Sequence, residues 1–395
     1  MFYDRKNRLV YPLSLLPGAL SLLRLCGGGA RRIPHELYAD AIIAELHERA
    51  PWFQAAGPSR LVSIYFGGGT PGLWRPAALG RVLTAVREAF AADGAIEITV
   101  EANPGDFEAG NLCDLRALGV NRLSFGAQAF QDRLLAGIGR GHRASAIPAA
   151  FAAARAAGFD NLCADLMFGL PGQSVHDWQA SLEALVLLAP QHITAYALTV
   201  ERNTRFGALE RKASLARPGE DEVAAMYARG HEFLTDRGYE HYEISSYAGP
   251  AGRSVHNTLY WTMGAYLGLG VSASSFRPLA GGGGWRFTNT RSPQAYLRSP
   301  THGQALIEFS ELRAPADAEN EALWLGLRTS DGVDRVAHKA RYGRDPIQSP
   351  ARAHAAEVCA EAGWLDITPE RLRLLPAGFL FADEVAVRLL DDPTA

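Results

Sequence analysis

From residue 34 onward the apolar positions follow two alternating rhythms. In "PHELYADAIIAELHERA", Leu37, Ala41, Ile42 and Leu46 recur at helical spacing with acidic residues early, so this segment is expected to be an amphipathic helix. The runs "LVSIYF", "AIEITV", "NRLSF", "NLCADLMF" and "HITAYAL" read as strands. They alternate with helical patterns around 76–90, 108–118, 144–157, 174–188 and 221–236. Such alternation implies βαβ units and a parallel sheet. Five strands, or six with "GYEHYEIS", fall short of an eight-unit barrel, so the expected class is α/β with a partial (β/α)6 TIM-like barrel.

Past Ser275 the text changes. "PLAGGGGWRFTNTRSP" reads as a Gly-rich connector whose Trp285 and Phe287 pack back on the core, and helices with a short hairpin follow it. The expected division is an atypical N-terminal segment 1–33, a barrel 34–276, a connector 277–311 and a small C-terminal domain 312–395.

Composition narrows the partners. With 395 residues the chain exceeds ordinary single-domain size. A net charge of −3 gives no electrostatic reason to expect nucleic acid or an anionic membrane as the main partner. Cys26, Cys113, Cys163 and Cys359 stand far apart, with no spacing for a metal or a disulfide framework, which suits a reducing cytoplasm. The stretch "LVYPLSLLPGALSLLRLC" follows Arg5, Lys6 and Arg8 and resembles a weak signal peptide. Asp4, two interrupting prolines and Arg24 just before Cys26 argue against export, and the run is too short and broken for a membrane span. The expected location is therefore cytoplasmic, with membrane association at most peripheral.

In parallel α/β folds ligands sit at the C-terminal ends of the strands. Here those ends carry Gly67, Gly68, Gly69 and Thr70, then Glu101, then Gln128, then Asp165, then Tyr196 and Ala197, with Arg140 and His142 on the loop "GIGRGHR". Carboxylates, an amide, a guanidinium and a glycine track on one rim suit a polar small molecule. Each also has a plainer reading: glycines after a strand can simply turn, and a strand-end Glu can cap a helix. The glycine spacing is neither G-x-G-x-x-G nor a P-loop. Asp165 between Ala164 and Leu166 is harder to dismiss, because burying a lone carboxylate is costly.

Six blocks in order, "YFGGGTPGL", "EANPGD", "RLSFGAQAF", "GRGHRAS", "DLMFGLPGQ" and "AYALTVERNT", resemble the radical S-adenosylmethionine (SAM) proteins related to oxygen-independent coproporphyrinogen oxidase. The resemblance covers about residue 34 to the C-terminus. It implies that Gly68, Gly69 and Thr70 contact SAM through the main chain, which residues without Cβ let approach closely. It also implies that Glu101 helps hold SAM, that Gln128, Arg140, Asp165 and Ala197 complete the pocket, and that the C-terminal domain is winged-helix-like. The tail "EVCAEAGWLDI" is not basic and reads as a packing or lid element rather than a DNA reader.

The family has two branches. The oxidase, a coproporphyrinogen dehydrogenase of porphyrin biosynthesis, decarboxylates coproporphyrinogen III; the HemW branch resembles heme chaperones that pass heme to acceptor proteins. Length favours the chaperone branch, and "RSVHNTLYWTMGAYLGLGVSASS" resembles its H-N-x-x-Y-W segment, which makes His256 the expected heme-associated residue. A lone His beside Asn is also a common hydrogen-bonded structural residue.

One departure stands out. Family members hold a 4Fe-4S cluster on Cys-x3-Cys-x2-Cys, and that spacing is absent here. Cys113, Cys163 and Cys359 read as small buried hydrophobes. The expectation is a chain without a stable cluster, either because residues 1–33 come from a shifted reading frame joined near 27–31 or because the protein is a cluster-less homologue.

Overall fold

A computed structural model describes residues 34–55, 60–68, 70–107, 109–202, 204–212, 214–279, 281–299 and 303–390. The N-terminal segment with Cys26 therefore lies outside the described residues, as does Gly69. The main sheet contains strands β1 (Leu61–Phe66), β2 (Ala92–Ala102), β3 (Arg122–Gln128), β4 (Asn161–Phe168), β5 (His192–Ala197), β6 (Glu240–Glu243) and β7 (Ser246–Ala248). Their order is β1-β2-β3-β4-β5-β7-β6, a partial barrel. β2, β3, β4 and β5 pair in parallel, as the alternation of strands and helices requires. "GYEHYEIS" supplies β6, at the far edge of the sheet; β7, which follows it, lies between β6 and β5 and runs antiparallel to β5.

Two compact units divide the chain. The first comprises Thr99–His241 and Ser245–Arg253. Its sheet register aligns Glu101 with Ser124, Ser124 with Cys163, Cys163 with His192 and Asp165 with Thr194. Side chains alternate between faces with period two, so these polar residues, with Arg122 and Tyr196, share one face. The other face carries Val100, Leu123, Phe125, Leu162, Ala164, Leu166 and Ile193, all buried. Behind β4, the helix Val175–Val186 starts with a capping box between Ser174 and Asp177 and buries Trp178, whose indole N–H donates to the Met226 carbonyl at 2.8 Å.

The second unit comprises the described residues from 34 to 98, Tyr242–Ile244 and those from 254 onward. Its first helix, His35–Gln54, buries Tyr38, Ala41, Ile42 and Leu46, but Leu37 is 52% exposed. Within the buried stripe Glu45 and Arg49 form a fully buried ion pair at 2.5 Å. The presumed connector contains regular structure: β8 (Ser274–Pro278), β9 (Gly284–Asn289) and β10 (Ile307–Arg313) form an antiparallel sheet in order β10-β9-β8. Phe287, in β9, is fully buried. In the C-terminal part β11 (Val333–Asp334), β12 (Leu365–Ile367) and β13 (Arg371–Leu374) pair in order β11-β13-β12, with helices around them in the winged-helix-like manner. No helix of the described residues is long and apolar enough to cross a membrane.

Candidate functional site

In the first unit the strand ends bring together Glu101, Gln128, Arg140, Asp165 and Tyr196. Asp165 lies deep in protein yet keeps partial solvent contact. Burial first, and the neighbouring Glu101 carboxylate second, push its carboxyl up to about 7, against a hydrogen bond from Thr194 and the pull of Arg140. The Arg140 guanidinium donates to Asn103 Oδ1 at 2.6 Å. Asn103 is in turn turned by its backbone N–H donating to Asp106 at 2.6 Å. The "EANPGD" block thus works as a unit: Asp106 folds the loop, Asn103 seats the arginine, and Glu101 faces Asp165.

Gln128 sits at a local break in register where β3 meets β4, with φ of 66°. A non-glycine residue at positive φ is strained and is retained where surroundings hold it. Here Tyr196 donates to its amide oxygen at 3.0 Å. A Cβ on Gly126 would lie 2.9 Å from Gln128 Nε2, 3.4 Å from Asn103 Oδ1 and 3.7 Å from Arg140 Nη1. That glycine therefore makes room for three side chains at once. Ala197 ends β5 opposite Phe168 and offers backbone rather than chemistry.

The described cysteines lie on three separate elements. Cys113 is exposed on the helix Ala109–Ala117, Cys359 is buried on the helix Pro350–Glu361, and Cys163 is buried on β4. Cys163 Sγ lies 3.1 Å from His192 Nδ1. Burial pushes that thiol up to about 11 and His192 well below its ordinary value, so both groups are neutral. Among the described residues no group of three or more His, Cys, Asp and Glu is placed to hold a metal ion.

In the second unit Gly68 is buried with φ of 74°, a conformation that favours glycine, and Thr70 precedes the short 3-10 turn Pro71–Leu73. His256 lies on the helix Val255–Trp261, which Ser254 caps by accepting the Asn257 N–H. Its imidazole is held on several sides. Ser63 Oγ is 3.0 Å from Nδ1, the Tyr260 hydroxyl is 2.8 Å from Nε2, and the Tyr65 ring stacks on it at 4.7 Å and 18°. Glu97 accepts the His256 backbone N–H at 3.0 Å. Ser63, Tyr65, Tyr260 and Glu97 were not among the expected site residues. Three of them had a signal in the chain: Ser63 and Tyr65 share one face of β1, and Tyr260 follows His256 by four residues, one helical turn.

Comparison with known proteins places this geometry in context. Residues 30–185 match the radical SAM superfamily and residues 314–381 the HemN C-terminal domain. The chain is 38% identical over 302 residues to the heme chaperone HemW of Synechocystis sp., covering 75% of this chain and 70% of that protein. It is 34% identical over 300 residues to HemW of Lactococcus lactis, covering 76% of each, and 35% identical over 266 residues to HemW of Escherichia coli, covering 67% and 68%. In fold it resembles the Escherichia coli coproporphyrinogen III oxidase HemN, a radical SAM enzyme, with a TM-score of 0.76 at 22% identity over 95% of this chain and 88% of that one.

Proposed function

Since the chain belongs to the HemW family of radical SAM proteins, we propose that it is a heme chaperone, binding heme and passing it to acceptor proteins in the cytoplasm. The observation that carries this reading is His256 in its aromatic setting on the H-N-x-x-Y-W helix. A neutral imidazole oriented by an oxygen on one nitrogen is the form in which histidine ligates metals. Tyr65 and Tyr260 beside it supply flat apolar surface for a porphyrin.

The strand ends of the first unit suit SAM. Glu101 and Asp165 crowd two carboxylates, and a sulfonium or ammonium cation near them would favour the ionised pair. Asn103 seats Arg140 for a carboxylate, Gln128 offers amide hydrogen bonds, and Ala197 leaves main chain accessible. SAM in this superfamily supplies radical chemistry when a reduced cluster stands beside it. The four cysteines of the chain have no Cys-x3-Cys-x2-Cys spacing, so we expect reconstitution with iron and sulfide to leave the protein without a stoichiometric 4Fe-4S absorption band.

The test is a heme titration of the full chain followed by absorption. Tight binding lost in His256→Ala supports the chaperone reading. Anaerobic release of carbon dioxide from coproporphyrinogen, with no heme uptake, would replace it with the oxidase.

A further inference from the structure

We propose that Tyr260 is a displaceable cap on the iron-binding nitrogen of His256, and that Ser63 is the positioning residue that prepares the imidazole for ligation. The inference rests on the heme role proposed for His256 and says which atom binds and what stands in its way.

A neutral imidazole has one N–H and one lone pair. Histidines that ligate metals ordinarily donate the N–H of the other nitrogen to an oxygen, which fixes both tautomer and ring orientation. Ser63 Oγ, 3.0 Å from Nδ1, is such an oxygen. With the proton on Nδ1, the lone pair sits on Nε2, and the Tyr260 hydroxyl at 2.8 Å donates to it. Two further contacts hold the residue in place: Tyr65 stacks on one face of the ring, and Glu97 accepts the His256 backbone N–H at 3.0 Å.

The side that can yield is Tyr260. It lies one turn along the same seven-residue helix, is partly exposed, and meets Tyr266 edge-on at 4.8 Å. For iron to reach Nε2 the O–H···N bond must break and an Fe–N bond form; the phenol keeps its proton and no electron moves. Returning, the same hydroxyl competes with iron for the lone pair. A carrier that must surrender its cargo thereby has a built-in competitor four residues from its ligand.

The experiment titrates ferric heme into the full chain and compares wild type with Tyr260→Phe, Tyr260→Leu, Ser63→Ala and His256→Ala, reading dissociation constants and absorption spectra, with thermal melting as a folding control. Removing one neutral hydrogen-bond competitor should tighten binding about fivefold in Tyr260→Phe, with the wild-type spectrum retained and Tyr260→Leu moving in the same direction. Ser63→Ala should weaken binding on the order of tenfold and shift the spectrum, a change that loss of packing alone would not produce. Weaker or unchanged binding in both Tyr260 variants would overturn the cap, and a lost ligand band in Tyr260→Phe would make the phenol the ligand instead. If His256→Ala binds heme like the wild type, the proposed heme role of this helix falls, and the cap with it.

Discussion

The carboxylate of Glu97, on β2, accepts the backbone N–H of His256 at 3.0 Å, although the two residues lie 159 positions apart. The same carboxylate takes the Ser254 hydroxyl and the Val255 N–H, each at 3.2 Å. The first-turn donors of a helix have no partner within it, and negative charge there is favourable. Glu97 therefore anchors the start of the helix that carries His256. Glu97→Gln is expected to cost about 1–2 kcal/mol, seen as a lower denaturation midpoint with an unchanged slope, and to weaken heme binding with it.

Asp165→Asn should separate stability from ligand binding. The folded protein holds the Asp165 proton up to about pH 7, whereas an unfolded Asp releases it near pH ~4. The contribution of this proton to stability is thus complete below about pH 4 and is lost as pH rises through 7. At pH 8 the Asn variant should be the more stable by roughly 2–4 kcal/mol, and at pH 4 the difference should shrink. A cationic ligand reverses the preference, so SAM affinity of the wild type should rise with pH through about 7 and be weak and flat in the variant. Calorimetric titration at several pH values checks this.

Gly126→Ala places a methyl 2.9 Å from the end of the Gln128 amide. That amide can move, so the loss in stability should stay within about 1 kcal/mol. Its movement breaks the Tyr196 bond and crowds Asn103 and Arg140, and SAM affinity should drop on the order of tenfold. Equal melting temperature and equal affinity would show the room beside Gly126 to be idle.

Glu45 and Arg49 test the scaffold apart from either site. Glu45 accepts from the Gly270 N–H at 2.8 Å and from the Tyr296 hydroxyl and Asn289 amide, both at 2.6 Å, besides pairing with Arg49. Glu45→Gln leaves a buried guanidinium without its counter-charge and should cost about 3–5 kcal/mol, measured by urea unfolding. A double change to Met at both positions should recover much of that loss, because matched removal leaves no buried charge.

Much of this protein could be read along the chain. The alternation of "LVSIYF", "AIEITV" and their successors with helical segments carried the parallel sheet, since strand and helix periods depend on local backbone geometry alone. The first unit does bring together Glu101, Gln128, Arg140 and Asp165, because parallel strands end on one side. Less visible was what surrounds them. Arg140 rests on Asn103, and Asp106 holds the loop through the Asn103 N–H.

Elsewhere local pattern misled. Leu37 fitted the apolar stripe of its helix and is exposed, while the charged Glu45 and Arg49 are buried among the stripe's apolar residues. "GGGGWRFTN" looked like a connector because glycines break elements, yet β8 and β10 on either side make its second half a central strand. The sequence alone determined the strands and helices of the parallel part of the sheet and which strand ends carry charge, for those follow from residues within one or two turns of each other. Only the tertiary structure decided the register that lines polar side chains on one face, the Glu97 anchor and the Ser63 contact of His256, because hydrogen bonds between residues 150 or more positions apart are chosen by packing and leave no periodic trace in the chain.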